Sequence, residues 1–298
     1  MPTSTYVVDD LNADIASTEH PIVSTVYAEC GAWYRADGPE HLRPVGETEW
    51  VAQHVDARTQ GIVGHADLRL GDAVSEVLDA HIEAGQGLFR GVRHMATWDA
   101  SPTIKPMAPF PGPGLLADAQ FRRGFAALTR AGLSFDAWVY FPQLPEVAEL
   151  ADAFDDSRII LNHLGGPIVM GPYTDRSEVL AQWRPLIAQV AARPNVVMKL
   201  GGIGMPIYGL GWHKDPKPPT AEEVAAAWRE PVRFCIEQFG VDRCLFESNF
   251  PVDKFSLSYA TLWDAFALMV DDLSRDERMA LFNATASNVY RLGERTTP

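Results

Sequence analysis

The chain predicts an α/β fold, a strand–helix barrel on a parallel sheet with its first strand short or missing. Three observations carry this. Strand-like and helix-like segments alternate along most of the 298 residues, the pattern a parallel sheet with crossover helices requires. Several strands end in polar side chains or glycine, as they do in folds whose site sits at the carboxyl ends of the strands. Seven strand–helix units can be counted, one fewer than a closed eight-stranded barrel needs.

Taken in order, Thr5–Val8 is a very short strand candidate and Leu11–Ser17 is already helical. Ile22–Glu29 is rich in β-branched and aromatic residues and reads as a strand. A helix runs from Gly46 to Arg58, a strand over Gly61–Leu68 and an amphipathic helix over Asp72–Ala84. Leu88–His94 is a strand, followed by a Pro/Gly-rich loop over Pro102–Gly114. The alternation continues with helix Asp118–Ala131, strand Leu133–Phe141, helix Pro145–Phe154, strand Ser157–His163 and helix Asp175–Ala192. Strand Asn195–Gly201 leads to a long loop, Gly202–Pro219. Helix Thr220–Phe239 starts with Thr220 as N-cap and Glu223 completing a capping box. The last strand ends near Glu247, and helices fill the remainder.

The composition, 47% hydrophobic and 21% charged, fits one globular domain over residues 1–298. A net charge of −14, from Asp+Glu 39 and Lys+Arg 25, disfavours nucleic acid and anionic membrane as partners. No apolar stretch is long enough to span a bilayer, and no signal peptide is visible. Cys30, Cys235 and Cys244 have no metal-ligand spacing and read as reduced thiols, which points to the cytoplasm. The expected partner is a small-molecule substrate, and the chain is compatible with a homo-oligomer.

The chemistry-bearing residues gather at strand ends. Leu245, Glu247 and Asn249 share one face by period-two alternation, and a buried carboxylate is costly unless it binds or reacts. Asp253 follows on the next loop. Tyr27 and Glu29 share a face at the end of their strand, with pairing of Glu29 to an Arg as the structural alternative. His65 and Asp67 face one side; a His–Asp hydrogen bond would be a structural role, and His65 is also a candidate binding residue. Gly91 suggests close approach inside the barrel, and parity puts Arg93 beside it, where a guanidinium can clamp a carboxylate or polarise a carbonyl. Trp138 and Tyr140 would line a pocket. His163 ends a buried strand, and Gly165-Gly166-Pro167 would leave open space beside an imidazole suited to act as electrophile, general base or metal ligand. Lys199 inside a barrel needs a carboxylate partner and reads as structural.

Five segments together resemble the amidohydrolase-related TIM-barrel hydrolases, the branch with 2-pyrone-4,6-dicarboxylate lactonase and sugar-acid lactonases. They are Phe89-Arg-Gly-Val-Arg-His, Ser134-Phe-Asp-Ala-Trp, Leu161-Asn-His-Leu-Gly-Gly-Pro, Val197-Met-Lys-Leu-Gly-Gly and Leu245-Phe-Glu-Ser-Asn-Phe-Pro-Val-Asp-Lys254. The resemblance implies a distorted (β/α)8 TIM barrel that hydrolyses a lactone or a related ester or amide. It implies one divalent metal in some relatives and none in the pyrone lactonase type. It maps the sixth-strand His of the family onto His163 and its eighth-strand Asp onto Asn249. The first-strand His-x-His of the family has no counterpart before Tyr6, so the chain looks shortened at its front.

These readings converge on a hydrolase in which water attacks a carbonyl. Glu247 or Asp253 would serve as base, His163 and Arg93 would stabilise the oxyanion, and Glu29, His65, Trp138, Tyr140 and Asn249 would shape the pocket. No metal ligand is assigned; zinc or manganese enters only through the resemblance. The alternatives are a metal-dependent decarboxylase of the same superfamily and a catalytically impaired barrel.

Overall fold

The computed structural model describes residues 5–104 and 112–293. The strands among them are β1 (Thr25–Ala28), β2 (Thr59–Gly64), β3 (Phe89–Arg93), β4 (Ser134–Ala137), β5 (Ile159–Leu161), β6 (Val196–Leu200) and β7 (Cys244–Phe246). They pair in chain order, all parallel, in one seven-stranded sheet that curls into a half-barrel. The helices before, between and after them are α1 (Val8–Ile15), α2 (Val45–His54), α3 (Val74–Ala84), α4 (Ala119–Arg130), α5 (Leu144–Ala153), α6 (Arg176–Ala191), α7 (Ala221–Phe239), α8 (Tyr259–Met269), α9 (Arg275–Met279) and α10 (Thr285–Val289).

Strand alternation builds two cores. Ile62, Val92, Phe135, Leu161 and Phe246 pack outward with the helices. Val63, Ile160 and Leu245 pack inward, where Val289 and Tyr290 from the carboxyl-terminal segment join them. Helix starts follow local chemistry: Asp118 caps α4 through the amides of Gln120 and Phe121, and Asp175 caps α6. At α7 the Glu223 amide donates to Thr220 Oγ1 at 3.3 Å while the Thr220 amide donates to Glu223 Oε2 at 2.8 Å, the reciprocal box expected from the sequence.

The sheet stays open between β1 and β7. The Thr5–Val8 fragment does not serve as a strand, because Val8 already begins α1. All four residues of β1 are only half-buried, whereas all three of β7 are buried. The amino-terminal segment ties the two edges instead. Lys254 pairs with Asp14 at 2.8 Å and His20 with Asp264 at 2.9 Å on the β7 side, and Arg58, just before β2, donates to Asn12. The loop expected over Pro102–Gly114 lies partly outside the described residues. No helix among the described residues is long and apolar enough to cross a membrane.

Candidate active site

The polar cluster forms toward the carboxyl ends of the strands. On β4 and β6 the inward parity that buries Ile160 and Leu245 also aims Asp136 and Lys199 at the interior. Lys199 Nζ donates to Asp136 Oδ1 at 2.7 Å and lies 3.4 Å from Glu247 Oε2. The same Asp136 oxygen accepts from the Tyr290 hydroxyl at 2.9 Å and from Asn162 Nδ2 at 3.0 Å. Asp136 Oδ2 has no hydrogen-bond partner.

His163 follows β5 in an unusual backbone. His163, Leu164, Gly165 and Gly166 have φ of 54°, 54°, 66° and 63° in succession. Left-handed φ costs a bulky L-residue energy and persists only where the surroundings impose it. Here the Tyr208 hydroxyl donates to the His163 carbonyl at 2.8 Å and Trp183 Nε1 to the Leu164 carbonyl at 2.7 Å. The glycine pair does not open space beside the imidazole, as the sequence suggested. Gly166 is required because a Cβ there would lie 2.3 Å from the Val139 carbonyl oxygen. The room comes from Gly202 on the neighbouring connection, where a Cβ would meet His163 Nδ1 at 2.7 Å.

In this setting His163 Nδ1 lies 2.6 Å from Glu247 Oε1. The two atoms are close but not aligned as a hydrogen bond, and neither has another partner. Burial alone would raise the Glu247 carboxyl. The charges of His163 and Lys199, the His163 contact and Arg93 outweigh it and hold the group down at about 2. Lys199 is also buried, which by itself would lower it. Asp136, Tyr290 and Glu247 reverse this and hold the ammonium well above its ordinary value.

Arg93 closes the other side. Its Nε donates to Glu29 Oε1 at 2.8 Å and its Nη2 to the Glu29 carbonyl. Glu29 therefore takes the Arg pairing foreseen as its structural alternative, from a position at the mouth. Tyr27 does not share that environment. β1 ends at Ala28, and the Tyr27 hydroxyl turns to Glu47 of α2 at 2.8 Å. His65 Nδ1 lies 3.1 Å from the Arg93 carbonyl, and its ring meets His94 edge-on at 5.4 Å. The His65–Asp67 hydrogen bond is not made, because Asp67 pairs with Arg69 and accepts the Arg69 amide at 3.0 Å. Trp138 meets His163 edge-to-face at 4.6 Å, and Tyr140 meets Trp138 at 6.0 Å.

The alternation after β7 stops at Phe246, and Asn249 adopts φ 50°. Asn249 Nδ2 donates to Asp253 Oδ1 at 2.8 Å. Asp253 has no solvent exposure, and its Oδ2 is without a partner. Burial pushes its carboxyl up to about 8, against the Asn249 and Gly204 hydrogen bonds. Asn162, Tyr208 and Tyr290 were not foreseen. Asn162 gave no signal beyond polarity at a strand end, Tyr208 lies within the long connection after β6, and Tyr290 arrives from beyond the last helix.

Among the described residues no three His, Cys, Asp or Glu side chains gather as a metal-binding group. The Lys199 ammonium already spans Asp136 and Glu247. The residues present therefore do not fit the divalent ion that the resemblance implies for some relatives. Surface hollows of about 190 and 300 Å³ lie beside Arg158 and Arg243 and beside Trp212–Pro219, away from this cluster. It is the strand-end chemistry that marks the site.

Comparisons with known proteins bear on the family and the fold. The sequence profile of the family described as Amidohydrolase matches residues 27–292. The uncharacterized protein y4mH of Sinorhizobium fredii is 34% identical over 97% of this chain and 86% of its own length. An L-fucono-1,5-lactonase of Burkholderia multivorans is 28% identical over 80% of this chain and 74% of its own. A crystal structure of an amidohydrolase from Burkholderia multivorans superposes with a TM-score of 0.75 at 25% identity, covering 97% of this chain and 89% of that one.

Proposed function

The chain belongs to the amidohydrolase family, and on that footing we propose that it is a hydrolase that opens a small lactone by attack of water on the ring carbonyl. The observation that carries this is the 2.6 Å approach of His163 Nδ1 to Glu247 Oε1 at the barrel mouth. The L-fucono-1,5-lactonase relatives supply the substrate class.

The base role suggested for Glu247 moves to His163. A carboxyl held at about 2 takes a proton poorly at neutral pH. The same carboxylate, 2.6 Å from Nδ1, stabilises the imidazolium by its charge, leaving Nε2 to act on water. Asp253, fully buried and bonded by Asn249, supports the loop. Water oxygen bonds to the carbonyl carbon as His163 takes its proton, and the carbonyl oxygen becomes an oxyanion. Arg93, with Nε and Nη2 fixed by Glu29, presents its remaining Nη1 group to that oxygen. Collapse breaks the ring carbon–oxygen bond, and His163 returns the proton to the leaving alkoxide. The product is the open hydroxy acid. The acidic single-domain chain is read as a cytoplasmic enzyme.

The test is turnover on a panel of sugar and aromatic-pathway lactones. The wild type is expected to open at least one, and His163→Gln to stay folded and lose on the order of 10²-fold or more in kcat. A folded wild type inert over the whole panel, or an undiminished His163→Gln, contradicts the proposal.

A further inference from the structure

Lys199 and Tyr290 are buried, carry polar groups, and take no direct part in the steps above. They form a chain that reaches the site from beneath. The end of α10 enters the floor of the barrel, where Val289 and the following Tyr290 pack on Val63, Ile160 and Leu245. From there the Tyr290 hydroxyl donates to Asp136 Oδ1 at 2.9 Å. Asn162 adds a second donor at 3.0 Å, and Lys199 Nζ a third at 2.7 Å. The ammonium also lies 5.5 Å over the Tyr290 ring, so its position is fixed on two sides before it meets Glu247 at 3.4 Å.

We propose that Lys199 is a positioning residue: its ammonium, anchored by Asp136 and Tyr290, holds the Glu247 carboxylate against His163. A lone salt bridge in the core would need neither a third donor on one Asp136 oxygen nor a second carboxylate. The arrangement instead transmits a fixed positive charge from the barrel floor to the strand end. Glu247 needs that charge because burial disfavours its ionised form. His163 and Arg93 favour it. The Glu247 charge in turn helps keep the Asp253 carboxyl and the Tyr208 hydroxyl protonated. Gly201 lets the carboxylate approach, since a Cβ there would fall 2.2 Å from Glu247 Cγ.

The inference rests on the proposed reading of the site only in its turnover arm. In full-length protein labelled with ¹³C-carboxyl Glu, the Glu247 signal is assigned by its loss in Glu247→Gln and followed with pH. Wild-type Glu247 is expected to stay ionised to about pH 3, and Lys199→Met to titrate about one pH unit higher or more. On a lactone that the wild type opens, Lys199→Met is expected to lose on the order of 10²-fold in kcat with little change in KM, as lost pre-organisation should. If Lys199→Met does not fold, Tyr290→Phe keeps the barrel packing and removes one donor, and the same upward titration of Glu247 is expected at smaller size. A Glu247 titration identical in wild type and variant overturns the proposal. A wild type that opens no lactone defeats the lactonase reading, and the titration still decides the role of Lys199.

Discussion

The end of β7 and the loop just beyond it place two carboxyls in the same mouth and give them opposite character. Glu247, with its side chain 15% exposed, is held at about 2, while Asp253, fully buried, is pushed to about 8. Desolvation is the largest single influence on both and raises both. What differs is company. Glu247 faces His163, Lys199 and Arg93. Asp253 faces an amide, a backbone N–H and the negative charge of Glu247. Burial sets the cost of a charge and partners decide whether it is met. One region therefore carries a fixed anion suited to stabilise an imidazolium, and the other a neutral acid that braces a loop.

The comparison predicts its largest effect at Glu247. Glu247→Gln keeps the shape and removes the charge, and kcat on a turned-over lactone is expected to fall on the order of 10² to 10³-fold. Its stability signature has a definite sign. A carboxyl lowered from 4.5 to about 2 contributes stability that is present above 4.5 and lost as pH falls through about 2. Wild type and Glu247→Gln should therefore converge in denaturant midpoint only in strong acid; convergence already near pH 6 would break the assignment.

Asp253 should behave in the opposite sense. Its carboxyl is raised from 3.8 to about 8, so its contribution is full below 3.8 and lost as pH rises through about 8. Asp253→Asn keeps an acceptor for Asn249 and cannot ionise. It is expected to be more stable than wild type by about 1 to 3 kcal/mol at pH 9, with a smaller gain at pH 5. Equal pH dependence of unfolding in the two proteins would show that Asp253 is not held neutral. The smallest effect lies at a helix cap that contributes no side chain to the cluster. Thr220→Ala removes one side of the α7 capping box and should cost about 1 kcal/mol without altering kcat; a loss of turnover would tie α7 to the site.

How much of this was legible beforehand follows from locality. The seven strands, their order and the α7 cap depend on period-two patterning and short-range chemistry, and each is visible in a stretch of a few residues. The same parity places Asp136 and Lys199 inside the barrel. It could not show that one oxygen of Asp136 would take three donors, because one of them, Tyr290, lies far along the chain on the barrel floor. Parity also misleads where strands stop. Tyr27 and Glu29 part company after Ala28, and Asn249 leaves the Glu247 face through its φ of 50°. The left-handed turn at His163 is legible only in its glycines, whose pattern suggests open space where the structure shows close packing against Val139.

The central claim is that His163 and Glu247 act as one unit, and a double-mutant cycle on lactone turnover tests it most directly. His163→Gln, Glu247→Gln and the double variant are compared by kcat/KM. A working pair predicts that the double variant is no slower than the slower single variant, because removing either partner already disables the other. Losses that multiply in the double variant would mean that the two residues act independently, and would contradict the account.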